Sequence, residues 1–372
     1  KLDLRTFRKI PWENDIPFFI GDFINEKNEA AYVCPRQLLK KIAAECDSMG
    51  FIPQFSQEFE WFNYAETPAS LQEKQYRDLT PLTPGMFGYS ILRSTLKNEY
   101  MDALFTMLSK FGIPLEGLHT ETGPGVYEAA IMYGHIIEAA DRAILFKTSV
   151  KEIAYKKGII ATFMAKISEN LPGCSGHVHQ SLCDKNSGAN LFHDSSDDTG
   201  MSDLMRSYMA GQLFCLPHIL PMVAPTVNSY KRLVEGAWAP TTLTWGIDNR
   251  TVALRALPAG KKSCRLETRV VGSDTNPYLA LAACLASGLY GIKNNLQLLQ
   301  PATTGNGYAD KKYGVLPGNL QEATLAMKQS AVANELFGED FVYHFTATRE
   351  WEYRQFAKAV TDWETRRYLE II

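Results

Sequence analysis

The sequence predicts an α+β fold with a mostly antiparallel sheet. Three observations carry that prediction. Apolar residues recur at helical spacing in some stretches and alternate in others. Glycine, proline and asparagine mark the borders between those stretches. No repeat or low-complexity block interrupts the 372 residues, and 45% of them are hydrophobic, enough for one large domain or two smaller ones.

Taken in order, Lys1 to Trp12 is polar and ends near Pro11. Phe18 to Ile24 and Ala30 to Val33 read as two short strands around the turn Asn25-Glu26-Lys27-Asn28. Pro35 opens a helix to about Met49, with Leu38, Leu39, Ile42 and Ala43 on one face and Gly50 as its stop. The strand Glu58-Phe59-Glu60-Trp61-Phe62 follows, and then Ala65 to Gly88, rich in Pro, Thr and Gln, reads as a surface loop. Lys97 to Phe111 is an amphipathic helix ended by Gly112. Leu115 to Thr122 and Tyr127 to Ile131 are strands, and from Gly134 through Phe146 the chain is helical. Ile159 to Ala165 and His177 to Leu182 are strands on either side of a loop at Glu169 to Gly176. Ser202 to Leu216 is helical, whereas Thr241 to Leu257 and Cys264 to Val270 alternate like strands. Asn276-Pro277 starts a helix to Asn294. Its apolar part, Leu279 to Ile292, is too short to span a bilayer and reads as buried. The tail from Leu320 to Leu369 is mostly helical.

A net charge of −3 gives no overall pull toward nucleic acid or an anionic membrane. The seven cysteines show no zinc-like spacing and read as free thiols in a reducing compartment. Lys1 to Lys9 has no signal-peptide core. A soluble cytoplasmic protein is expected.

Four stretches carry chemistry. Glu58 and Glu60, two apart on a strand, share a face, with Phe55, Phe59 and Trp61 free to pack on the other. They are either a solvated edge or ligands for Mg²⁺ or Mn²⁺, since carboxylate oxygens suit such ions. Glu121 and Glu128 flank a Gly-Pro-Gly turn that aims both acids at one point or leaves both in solvent. His177 and His179 share a strand face after the glycine-containing loop Pro172 to Gly176, where a ligand can approach the backbone closely. One imidazole can bind metal while the other donates to an anion. Arg250, Arg255, Arg265 and Arg269 interleave with Val252, Leu254, Leu257, Leu266 and Val270, as in the wall of a cleft, and guanidinium forks match phosphates and carboxylates. The alternative is a solvated basic face. Together these residues describe a metal-nucleotide phosphoryl-transfer site without a P-loop or kinase motif set.

Over nearly its whole length the chain resembles the class I branch of the glutamine synthetase family. The resemblance is carried by Glu58-x-Glu60, Glu121-x-Gly-Pro-Gly-x-x-Glu128 and Gly173-x-x-x-His177-x-His179-x-Ser181-Leu182. It continues in Asn228 to Val234, Asn249-Arg250, Arg265-Leu266-Glu267-Thr268-Arg269 and Asn276-Pro277-Tyr278. The resemblance implies a curved, mainly antiparallel sheet with surrounding helices, in a catalytic domain over residues 35–372. Residues 1–34 would be the end of an N-terminal β-grasp domain, whose earlier part carries an aspartate that completes the neighbouring subunit's site. It further implies ATP entering one end of a cavity and glutamate the other, with a γ-glutamyl phosphate then attacked by ammonia. By position, Glu60, Glu121 and Glu128 would hold one metal, and Glu58, His177 and Glu267 the other. His179, Ser181, Arg250, Arg255, Lys262 and Arg265 match nucleotide-side positions, and Gly173, Arg232 and Arg269 match glutamate-side positions.

The departures bear on function. The family reads Gly-Tyr-Glu-Ala-Pro where this chain reads Gly236-Ala237-Trp238-Ala239-Pro240. The flap glutamate helps bind and deprotonate ammonium; indole can do neither, and its bulk is expected to plug the cavity. Glu235 would need a rearranged loop to substitute. Pro172 stands where an asparagine is usual, and Val126 where a glutamine is common. A kept metal and ATP shell beside a lost ammonia site is similar to the non-enzymatic lens branch of the family. That resemblance implies a dodecamer of two hexameric rings, a structural or chaperone-like role and intermediate filament proteins as partners. On this reading the chain is not an enzyme. The alternative is an active ATP-dependent γ-glutamyl ligase using an amine other than ammonia, with Trp238 stacking on the larger substrate.

Overall fold

The computed structural model describes all 372 residues. Its strands are β1 (Leu2–Ile10), β2 (Ile16–Gly21), β3 (Phe51–Tyr64), β4 (Leu115–Thr120), β5 (Val126–Ile131) and β6 (Gly134–His135). They continue with β7 (Ile160–Thr162), β8 (Val178–Asp184), β9 (Trp245–Ile247), β10 (Leu254–Leu257) and β11 (Arg265–Thr268). β1 and β2 form a hairpin; the other nine make one open sheet in the order β4-β5-β3-β8-β11-β10-β9, with β6 and β7 added against β3. Every pairing is antiparallel except β9 with β10, so the α+β expectation holds.

The long strand β3 joins the two halves of the sheet. It pairs with β8 over Phe51–Gln57 and with β5 over Glu58–Phe62. Beyond the end of β8 the same edge is continued by Glu58 N–H to the carbonyl of His177 and Glu60 N–H to that of Ser175, both at 2.9 Å. The period of two then sorts its side chains. Phe59 and Trp61 are fully buried against Phe146 and Phe163, at ring separations of 5.7 and 5.9 Å. Burying each ring is worth about 1.5–3 kcal/mol. Glu58 and Glu60 are left on the opposite face.

Helices cover the apolar face. Asn98–Lys110 and Ile136–Lys156 pack over the Phe59–Trp61 half, and Asp203–Val223 and Pro277–Lys293 over the other. The last two approach backbone to backbone: a Cβ on Gly211 would lie 2.3 Å from the carbonyl oxygen of Ser287, and one on Gly291 2.0 Å from that of Ser207. A buried network of Tyr208, Gln212, Gln180 and Thr268, with hydrogen bonds of 2.7–2.8 Å, ties helix Asp203–Val223 to β8 and β11.

Three local expectations are changed by the structure. The N-terminal hairpin turns at Pro11–Asp15, not at Asn25–Asn28. Asn14 and Asp15 take φ of 54° and 59°, left-handed values these residue types tolerate. Ile24 and Ala30 make only a single bridge. Helix Asp203–Val223 runs through Pro217 and Pro221, well past Leu216, because its surrounding apolar core outweighs the proline cost of about 3 kcal/mol. Short helices Pro68–Glu73 and Ile91–Leu96 lie in and after the stretch read as a loop. All seven cysteines are free, and no helix is long and apolar enough to cross a membrane.

Candidate active site

The polar face of the sheet gathers acids and imidazoles from five segments. Glu60 on β3 is in register with Glu128 on β5, and His179 on β8 with Glu267 on β11. His177 Nδ1 lies 3.5 Å from Glu58 and 3.1 Å from Glu267, and His179 Nε2 lies 3.3 Å from Glu58. Glu121 follows β4, where its carboxylate accepts from the Thr122 N–H at 2.7 Å. Glu60 accepts from the Ser175 N–H at 2.7 Å, which locks the glycine-containing loop to β3. Glu267 is buried beneath the cluster, bound to Arg269 and, at 2.8 Å, to Arg255.

Such crowding moves the titrations. Burial, and then the facing Glu58 carboxylate, push the Glu128 carboxyl up to about 12. Burial opposes ionisation of Glu58, but Glu128, His177 and His179 hold it well below the carboxylate range. Burial pulls His177 down to about 4, with Arg269 acting in the same direction. A neutral imidazole, ionisable carboxylates and a proton retained between two acids suit a divalent cation. The hydrogen-bond inventory agrees: Glu121 Oε2, both nitrogens of His177 and His179 Nε2 are buried without a hydrogen-bond partner. His119, to which the sequence reading assigns no role, joins this set. It lies 4.0 Å from Glu121 and 3.8 Å from Glu128, and ligand atoms of the three fall within 4.8 Å of one another. The signal was legible, since His119 and Glu121 are two apart at a strand end. Tyr89, stacked on His119 at 4.5 Å, had no signal in the sequence.

Two cavities meet at Glu58. The first, about 360 Å³, is lined by Glu58, His179, Ser181, Lys262 and Arg265 among others. The second, about 420 Å³, is lined by Glu58, Glu60, Glu121, Glu128, Gly173, His177, Arg232, Arg250, Arg269 and Trp238. Arg250 thus stands with Trp238, away from Lys262 and Arg265. Arg255 lines neither cavity; it bridges Asp248 and Glu267. Arg232 is buried, donating to the carbonyls of Val270 and Arg269 at 2.9 and 3.0 Å. Gly173 packs so closely on it that a Cβ would stand 2.8 Å from Arg232 Cγ.

Trp238 sits on a turn with φ 57°, a conformation unusual for a bulky residue, and is 61% exposed. Its ring walls the second cavity without filling it, so the expected plug is not there. Glu235 is exposed and paired with Lys311 at 2.5 Å, outside both cavities.

A sequence model described as "Glutamine synthetase, catalytic domain" matches residues 32–368. The chain is 55% identical over 373 residues to "Type-1 glutamine synthetase 2" of Dictyostelium discoideum, covering 100% of this chain and 71% of that protein. It is 36% identical over 372 residues to "Glutamate--isopropylamine ligase" of a Pseudomonas species, covering 100% and 81%. Among solved structures, "GmaS/ADP complex-Conformation 1" superposes with a TM-score of 0.88 at 27% identity, covering 99% of this chain and 84% of the other. These relatives overturn the expectation of a non-enzyme. The likeness runs the whole length of this chain, and over 71% and 81% of proteins named for a synthetase or ligase reaction. With its catalytic-domain match over residues 32–368 and a relative 55% identical along all of this chain, it belongs to the glutamine synthetase family.

Proposed function

We propose that this protein is an ATP-dependent γ-glutamyl ligase whose acceptor is an amine other than ammonia. The observation that carries this reading is Trp238. It stands at the flap position where the family has its ammonium-binding glutamate, yet it walls an open cavity of about 420 Å³. The relative named for isopropylamine supports it. The inactive lens role and its filament partners were inferred from the missing flap carboxylate, and relatives named for a synthetase or ligase reaction lend them no support.

In this reading Glu60, Glu121 and Glu128, with His119 beside the last two, would hold one cation and Glu58, His177 and Glu267 the other. Bound Mg²⁺ or Mn²⁺ supplies charge neutralisation for the phosphates. ATP occupies the cavity of His179, Ser181, Lys262 and Arg265, without Arg250 and Arg255, which stand outside it; a structural relative described as an ADP complex supports a nucleotide ligand. Glutamate lies against Gly173, Arg232 and Arg269. Its γ-carboxylate takes the γ-phosphoryl group of ATP, giving γ-glutamyl phosphate and ADP. The amine nitrogen then attacks the carbonyl carbon, the carbon–oxygen bond to phosphate breaks, and the nitrogen sheds a proton. Arginines held by backbone and carboxylate partners are preorganised for this negative charge. We place the domain border at 34/35, and assembly as two stacked hexameric rings in the cytoplasm belongs to the same proposal.

The test is phosphate release from ATP with glutamate, Mg²⁺ or Mn²⁺, and either ammonium or a panel of primary amines. Amine-stimulated release exceeding that with ammonium is expected. Release stimulated by ammonium alone, or by nothing, would sink the reading.

A further inference from the structure

We infer that an open groove on the outer side of Trp238 is the docking subsite for the acceptor amine, and that it takes a primary ammonium bearing a short alkyl or hydroxyalkyl group. This rests on the ligase reading above. The groove, about 470 Å³, is bounded by Trp238, Ile247, Asp248, Asn249, Thr303 and Gly305. Trp238 and Arg250 wall both this groove and the inner cavity, so the two spaces adjoin at the flap. A bare ammonium, about the size of a water with its ~30 Å³ share of liquid volume, would leave nearly all of it empty.

The chemistry of the walls selects the ligand. The indole of Trp238 offers an exposed face to a cation. Asp248 offers the carboxylate that the flap lacks. It is held at the end of β9 by its N–H bond to the Ala256 carbonyl at 2.9 Å. Arg255 Nε and Nη2 both bond Asp248 Oδ1, and Oδ2 accepts no hydrogen bond from the protein. Arg250 adds positive charge at the junction, so an ammonium is held only where the indole face and Asp248 outweigh it. The remaining wall is short and mixed, with Ile247 and Ala302 beside Thr303 and Thr304. Its carbonyls at Thr303 and Gly305 are already paired with Asn249 Nδ2, at 2.9 Å each. That surface accommodates a few carbons or a hydroxyl. An acidic tail would meet Asp248.

The experiment compares the native protein with Trp238→Ala and Asp248→Asn, using ATP, glutamate and Mg²⁺ with ammonium, methylamine, isopropylamine or ethanolamine. Each variant is expected to raise the KM for the alkylamines by about tenfold, while KM for glutamate and ATP stays within about twofold. Amine turnover with amine KM unmoved in both variants overturns the subsite alone. So does an Asp248→Asn effect confined to the KM for ATP, which would mean that Asp248 acts only by orienting Arg255. Absence of release with every nitrogen donor overturns the ligase reading, and the subsite with it.

Discussion

Glu60 on β3 lies directly across from Glu128 on β5, with Glu58 two residues away on the same face. Like charges in register repel, and the chain meets this by holding the Glu128 carboxyl protonated, pushed up to about 12. A divalent cation would replace that proton. Mg²⁺ or Mn²⁺ at a hundred times its Kd should then stabilise the fold by about 2.7 kcal/mol. Glu128→Gln should remove most of that gain without destabilising the metal-free protein. Calorimetry with and without metal checks this; a full metal-dependent rise in Tm in the variant would contradict it.

Gly173 packs tightly against the Arg232 side chain. A Cβ there would stand 2.5 Å from the Ala165 carbonyl oxygen and 2.8 Å from Arg232 Cγ. Gly173→Ala must therefore displace the arginine. The expected outcome in steady-state kinetics is a KM for glutamate raised by about tenfold or more, with the KM for ATP nearly unchanged. Equal effects on both substrates would argue against a glutamate-side role.

Restoring the family's flap carboxylate should redirect the acceptor. Trp238→Glu is expected to raise the ratio of kcat/KM for ammonium over that for isopropylamine by about tenfold, a change of about 1.4 kcal/mol in relative transition-state binding. A ratio that does not move would show that the flap residue does not choose the amine.

Lys147 supports the loop against which Glu60 rests. Its ammonium donates to the carbonyls of Ser273 and Thr275 at 2.7 Å each, while Ser273 Oγ donates to the Glu60 carbonyl at 2.5 Å. Burial pulls its pKa down from 10.5 to about 8. Between those values the unfolded chain binds more protons than the folded one, so this side chain makes stability rise with pH across that window. Lys147→Met should abolish that rise and, with two carbonyls left unpartnered, lower stability at pH 7 by roughly 2 kcal/mol. Urea unfolding from pH 7 to 10 tests both; parallel curves for native and variant protein would refute the assignment.

Arg36 joins the N-terminal hairpin to the body. It bonds Asp141 through two nitrogens at 2.8 Å, Asp22 at 2.8 Å and Asp3 at 3.1 Å. Arg36→Met leaves Asp141 buried with only the Tyr278 hydroxyl. A loss of about 3–5 kcal/mol is expected, and hydrogen exchange should show β1 and β2 losing protection first. A uniform loss across the chain would count against a docking role.

Much of the site was legible because its residues obey short periods. Glu58 and Glu60 share a face by the alternation of a strand, and so do His177 and His179. The helix beginning at Asn276-Pro277 starts at an asparagine that caps it and a proline in its first turn. His119 obeyed the same period beside Glu121, and its role could have been read from it. The N-terminal hairpin was misplaced because Asn14-Asp15 and Asn25 to Asn28 carry equal turn chemistry, and only pairing partners choose between them.

Local chemistry along the chain was therefore enough to establish the α+β class, the family and the ligand types that can bind metal and phosphate. These depend on residue identity and spacings of a few residues. It was not enough to say that Arg250 stands with Trp238, that Arg255 is spent on Asp248 and Glu267, or that the Trp238 ring leaves the cavity open. Those facts depend on contacts between segments far apart in the chain, such as the parallel pairing of β9 with β10 and the packing of the flap near Lys311. A side chain's identity sets what it can bond, whereas the folded arrangement of the other segments sets what stands within its reach.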